Sequence, residues 1–197
     1  MISQTQIKNC AIALSLLVLS ACSITQPSID PDYYLLQSQA LNETTVDSYS
    51  AQQVIVIGPL RFADYLMRSS IVAKHSDVEY NPEKFEQWAG NIEDEFQIAL
   101  LKNLAQQQQD SFFVRHPGLF YVGNAKSLSV DVLRFDVNQQ GLARLEAQWI
   151  WLEANGDVNA VGNFSQTLQA KDLSRAGATQ ALSQLITSFS ERVSQDH

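Results

Sequence analysis

Leu19-Ser20-Ala21-Cys22 constrains this chain more than any other stretch, because it decides which residues are left to fold. It reads as a lipobox: an apolar residue, two small residues, and a cysteine that becomes the new N-terminus once the bond between Ala21 and Cys22 is cut. Ahead of it stand one cation, Lys8, and an apolar run from Ala11 to Leu19. These are the charged and apolar regions of a secretory signal. The run is shorter than the roughly 20 apolar residues that span a bilayer, and it ends at once in Ser23, Thr25, Gln26, Pro27 and Asp30. Residues 1–21 are therefore expected to be removed, leaving Cys22 acylated. A single acyl chain binds a membrane only marginally, and further chains make the attachment stable. The cysteine is followed by Ser23 rather than an aspartate, which points to delivery to the outer membrane, with the protein facing the periplasm.

Loss of the signal leaves 176 residues, enough for one domain with a sizeable core. Lys8 is the only charge lost, so the formal net charge moves from −8 to −9. A chain this acidic is a poor match for nucleic acid or for electrostatic docking on anionic lipid. Membrane attachment falls to the acyl chains on Cys22. Cys10 leaves with the signal and Cys22 is acylated, so no thiol remains for a disulfide or a redox centre. The chain has no cysteine cluster and no HExxH stretch, and no metal or cofactor is expected.

Residues 22–32 are rich in Ser, Thr, Pro and Gln and read as a tether, leaving 33–197 as the folded domain. Tyr33-Tyr34-Leu35-Leu36 reads as a first strand and residues 40–52 as a polar loop. Val54-Ile55-Val56-Ile57, stopped by Gly58-Pro59, has the continuous apolar character of a strand buried on both faces. Residues 62–68 look irregular, and Ile71–Ala73 with Val78–Tyr80 predict two short strands around His75-Ser76-Asp77. Asn81, Pro82 and Glu83 carry the marks of a helix start. Phe85, Trp88, Ile92, Phe96, Ala99, Leu100 and Leu104 then recur every three or four residues, predicting a helix over about 82–108. Phe112-Phe113-Val114 is a short strand. Lys126–Val137 alternates through Val132 and then changes phase at Leu133, which predicts a bulge. Asn138–Gly141 forms a hairpin connection, Ala143–Trp151 a half-buried strand and Val158–Ala170 a polar edge strand. Ala178, Ala181, Leu182, Leu185, Ile186, Phe189 and Val193 predict a second amphipathic helix ending near Ser194. The expected fold is α/β: one domain with a mixed, largely antiparallel sheet packed against two long amphipathic helices.

Taken together and in order, several stretches resemble the PqiC/YmbA-type lipoproteins, the auxiliary lipoprotein component of ABC-linked MCE transport systems. They are the lipobox at Cys22, Tyr33-Tyr34-Leu35-Leu36, Val56-Ile57-Gly58-Pro59-Leu60, and Tyr65-Leu66-Met67-Arg68 leading into Ile71-Val72. Trp88-Ala89, Leu100-Lys102-Asn103-Leu104 and Leu145-Glu146-Ala147-Gln148-Trp149 complete the set. No piece is specific alone; the ordered set carries the resemblance. Gly90-Asn91 departs from the acidic residue and proline that the family often carries there. The resemblance implies a non-enzymatic, outer-membrane-anchored subunit. Its partners would be an MCE-domain periplasmic protein, which forms a lipid conduit, and that protein's inner-membrane partner. Self-association, for instance into a ring, stays open.

Tyr65, Leu66 and Arg68 are the candidate partner-binding residues, since aromatic and arginine side chains are enriched at interfaces. The plainer alternative has Tyr65 and Leu66 closing the core and Arg68 solvated. Trp88, Trp149 and Trp151 lie on apolar faces and are expected in the core rather than lining a lipid groove. His75-Ser76-Asp77 supplies the residue types of a hydrolase, but neighbours along an extended chain point to opposite faces and do not converge. Glu93, Asp94 and Glu95, consecutive on a helix, point in different directions and read as a solvated face. The alternative in another class is an envelope scaffold lipoprotein that binds a β-barrel protein or peptidoglycan.

Overall fold

Thirteen residues, Lys126–Asn138, form the strand on which the sheet is built. A computed structural model of the chain describes residues 30–41, 54–76, 78–118 and 123–196. The expected signal, the expected lipidation site at Cys22, most of the expected tether and most of the 40–52 loop lie outside the described residues. In chain order the elements are β1 (Asp32–Tyr34), β2 (Val54–Phe62), β3 (Ser70–Lys74), β4 (Tyr80–Trp88), α1 (Ile92–Gln107), β5 (Phe112–Arg115), β6 (Lys126–Asn138), β7 (Leu142–Leu152), β8 (Val158–Gln169) and α2 (Arg175–Ser194).

The sheet forks at β6. One edge of β6 pairs antiparallel with β7, which in turn carries β8. The other edge is shared by two strands running parallel to it. β2 takes the first half, from Ile55 beside Lys126 to Phe62 beside Val132, and β3 takes the end, with Ala73 beside Val137. Outside β2 lies β5, and outside β3 lie β4 and then β1. The eight-stranded sheet is thus mixed, its two longest ladders antiparallel, and it packs on two helices as expected. The predicted phase change in β6 is present: the register with β7 shifts between Val132 and Arg134. Leu128, Val130 and Val132 are buried before it, Phe135 and Val137 after it, and Leu133 is left exposed. One extra residue moves every later side chain to the other face, so the apolar set stays on the core.

Both helices bury their apolar stripes together with the sheet's large side chains. The Phe96 ring of α1 meets Phe62 edge-on at 5.3 Å and Phe135 at 5.5 Å, and Phe189 of α2 meets Trp149 at 5.9 Å. Trp88, Trp149 and Trp151 are all core residues, as expected. Trp151 Nε1 donates to the Val193 carbonyl at 3.1 Å, while Arg192 lies over the Trp149 ring at 5.2 Å. β8 accommodates that ring with a glycine. Gly162 is the register partner of Trp149, and a Cβ there would sit 2.1 Å from Trp149 Cζ2.

The first helix begins ten residues later than its periodicity predicts. Residues 82–88, expected as the opening turns of a helix over 82–108, lie in the strand β4, and α1 starts at Ile92. Two facts favour this outcome. β4 is paired on both sides, with β3 antiparallel and β1 parallel, which satisfies backbone groups that a helix would have to satisfy alone. Asn91 is also a better cap than Asn81. Its side-chain oxygen accepts from the Glu93 and Asp94 N–H groups at 2.8 and 3.3 Å, and three acids then occupy the positive end of the helix. The short strand expected at Val78–Tyr80 accordingly begins at Tyr80 and runs on to Trp88. Beyond β1, residues 35–41 form a strap across the helices. Leu36 enters the core, Gln37 N–H donates to Ser183 Oγ, and the Gln106 amide donates to the Ala40 carbonyl.

Candidate functional site

The turn between β2 and β3 is where the fork in the sheet opens, and it contains the candidate partner-binding residues. Asp64–Leu66 make one turn of 3₁₀ helix opposite the bulge in β6. The backbone is fixed at both ends: Ala63 N–H donates to the Val132 carbonyl at 3.0 Å, and the Ser69 carbonyl accepts from Trp88 N–H at 2.7 Å. Within the turn, Leu66 N–H donates to the Ala63 carbonyl at 2.8 Å.

Tyr65 ties this turn to the bulge. Its ring packs on Tyr80 with centroids 4.9 Å apart, and its hydroxyl donates to the Leu133 carbonyl at 3.2 Å. A bulge leaves a carbonyl without a ladder partner, and the phenol supplies one. Burial pushes the Tyr65 phenol well above its ordinary range, and the nearby Tyr80 and Asp136 add to the shift. The phenol therefore stays protonated and remains a donor. Asp136, buried two residues beyond Arg134, accepts from its guanidinium Nε at 3.2 Å and from the second nitrogen at 3.4 Å.

The three candidate residues thus divide. Leu66 is a core residue, 3 % exposed, and presents no side chain to a partner. Tyr65 is half-buried and holds the turn in place. Arg68 is exposed, beside Met67 at 41 % exposure. Leu66 thus closes the core and Tyr65 braces the turn, while Met67 and Arg68 are the exposed residues beside them. Beside that exposed pair a cleft of about 290 Å³ runs from Met67–Ser69 to Gly90, Asn91 and Ile92 at the head of α1. Sequence reasoning missed that second wall because it placed residues 90–92 inside a helix. The Asn91-Ile92-Glu93-Asp94 run, read as a cap, would have found it.

Among the described residues, the other candidates each engage separate neighbours. Gln139 Nε2 meets His75 Nδ1 at 2.5 Å, Ser76 Oγ accepts from the Val78 N–H at 3.4 Å, and Asp77 lies outside the described residues. Along the start of α1, Asp94 pairs with Arg115 at 3.3 Å. Glu95 is raised above its usual carboxylate range, first by burial and then by Asp94. A second cleft, of about 380 Å³, lies where β3, the β6–β7 turn and the start of α2 meet. Two of its charged groups are engaged: Arg175 pairs with Glu86, and Asp172 accepts from Ser174, which holds its carboxyl below the usual range. Among the described residues, no helix is long and apolar enough to cross a membrane.

Comparison with solved structures finds the same fold in proteins of very different sequence. An uncharacterized protein superimposes with a TM-score of 0.71 at 18% identity, covering 85% of this chain and 98% of that one. Protein XCC0632 from Xanthomonas campestris gives a TM-score of 0.63 at 15% identity, covering 82% and 92% of the two chains. No curated protein matches by sequence. The model of the ABC-type transport auxiliary lipoprotein component matches residues 34–194, which is nearly the whole folded part. This chain belongs to that family of auxiliary lipoproteins of ABC-type transport.

Proposed function

We propose that this protein is a non-enzymatic subunit of an MCE-type intermembrane lipid transport system, anchored in the outer membrane by acyl chains on Cys22 and facing the periplasm. The observation that carries the reading is the family match over residues 34–194 behind a lipobox at Cys22. The mechanism is docking. The acyl chains hold the domain at the inner leaflet of the outer membrane, and the Met67-Arg68 turn contacts the end of the MCE-domain protein that reaches across from its inner-membrane partner. Arg68 is the contact residue, and Tyr65 and Leu66 fix its position. A charged, exposed side chain on a backbone pinned at both ends suits recognition, because little entropy is lost on binding.

The test is crosslinking of the tagged, acylated protein in intact cells, followed by mass spectrometry of what copurifies. Recovery of an MCE-domain protein that is lost on Arg68→Glu supports the reading. Recovery of a β-barrel protein or peptidoglycan fragments with no MCE protein overturns it in favour of an envelope scaffold.

A further inference from the structure

We infer that the face of the sheet formed by Tyr33 and Phe85, with the adjacent Leu35, lies against the lipid surface to which the protein is anchored. These three side chains are 63 %, 57 % and 47 % exposed for Tyr33, Leu35 and Phe85 respectively. β1 pairs with β4 so that Tyr34 stands beside Trp88 and Tyr33 beside Gln87. Trp88 is in the core and Tyr34 packs against it, so Tyr33 and Gln87 point the other way. Phe85, two residues from Gln87 along β4, follows it outward. Tyr33, Leu35, Phe85 and Gln87 carry no charge in a chain of net charge −8. The neighbouring acid Glu86 alternates to the opposite side, where Arg175 of α2 pairs with it.

Chain length selects the lipid surface as the occupant. Tyr33 is eleven residues beyond Cys22, so even a fully extended tether holds it within about 40 Å of the acylated residue. A flexible chain of that length has an end-to-end distance of about 20 Å. The local concentration of membrane at this patch is therefore high, as for any short linkage between two contacts. Aromatic side chains with a polar tip, such as Tyr33, favour the headgroup level of a bilayer. The inference rests on the lipid anchor at Cys22. It adds an orientation: the sheet face beside β1 meets the lipid, and the Met67-Arg68 turn, joined to the end of β4 through Ser69, stands at the edge of that contact.

The experiment uses the acylated protein in vesicles of phosphatidylethanolamine and phosphatidylglycerol. With Cys10 removed and Cys22 acylated, an engineered cysteine is the sole free thiol. An environment-sensitive fluorophore is placed on Leu35→Cys or Phe85→Cys, and on Val161→Cys in β8 as the control. Several-fold brighter, blue-shifted emission at 35 and 85 but not at 161 is expected, and Tyr33→Glu should reduce it. Equal emission at all three positions, in protein that floats with the vesicles, overturns the orientation while leaving the anchor intact. Emission at 35 and 85 that changes only when a partner protein is added also overturns it, in favour of a protein contact. Failure of the wild-type protein to float overturns the anchor and this inference with it.

Discussion

Gly162 and Trp149 allow the packing of the core to be tested at one atom. A Cβ on Gly162 would lie 2.1, 2.4 and 2.7 Å from Trp149 Cζ2, Cη2 and Cε2, against ordinary contacts beyond 3.4 Å. The indole cannot swing away: it is 1 % exposed, faces Phe189 and lies under Arg192. Gly162→Ala must therefore push β8 or the ring by more than an ångström. Overpacking of this kind costs about 1–3 kcal/mol. The lower chain entropy of alanine in a strand returns roughly 0.5–1 kcal/mol. The net loss is about 1 kcal/mol, which for a domain of this size lowers Tm by about 2–4 °C. Trp149→Phe removes the two nearest clashing atoms, Cζ2 and Cη2, so in that background Gly162→Ala should cost little, a coupling of about 1 kcal/mol measured by a double-mutant cycle of thermal or urea unfolding. A Tm for Gly162→Ala equal to wild type, or the same penalty in both backgrounds, would refute the reasoning.

Four further outcomes are expected. Gln97→Leu strands the Ile57 and His116 carbonyls, to each of which the buried Gln97 amide donates at 2.9 Å, and should destabilise by about 2–4 kcal/mol in urea unfolding. The Tyr65 phenol is raised in the fold by burial, so above about pH 10, the ordinary phenol value, the unfolded chain holds fewer protons than the native one and stability falls. That alkaline loss should be shallower in Tyr65→Phe, and equal slopes in the two proteins would contradict it. Arg68→Glu should leave the unfolding free energy within about 0.5 kcal/mol of wild type, as for other exposed sites, while abolishing recovery of the crosslinked partner. Cys22→Ser should leave the domain folded but lose palmitate labelling and flotation with vesicles.

Particular residues show what was legible in the chain and what was not. The expected anchor rests on four consecutive residues, Leu19–Cys22, a motif carried wholly by local sequence. The long ladders and the second helix were legible for a similar reason. Alternation in Ala143–Trp151, the phase slip at Leu133 and the stripe from Ala178 to Val193 are local periods that the core enforces. The segment 80–91 was not. Phe85 and Trp88 sit three residues apart, which suits a helix stripe, and only pairing with β1 and β3, remote in sequence, makes the segment a strand. The same limit applied to Tyr65 and Leu66. Their residue types fit an interface, but the bulge carbonyl of Leu133 and the core around Leu66, both assembled by tertiary contact, assign them to holding the turn. Local sequence thus determined the periods and the turns, and it alone carries the expected anchor. Tertiary structure alone decided which edge each strand joined, and with it which side chains were left for a partner or a membrane.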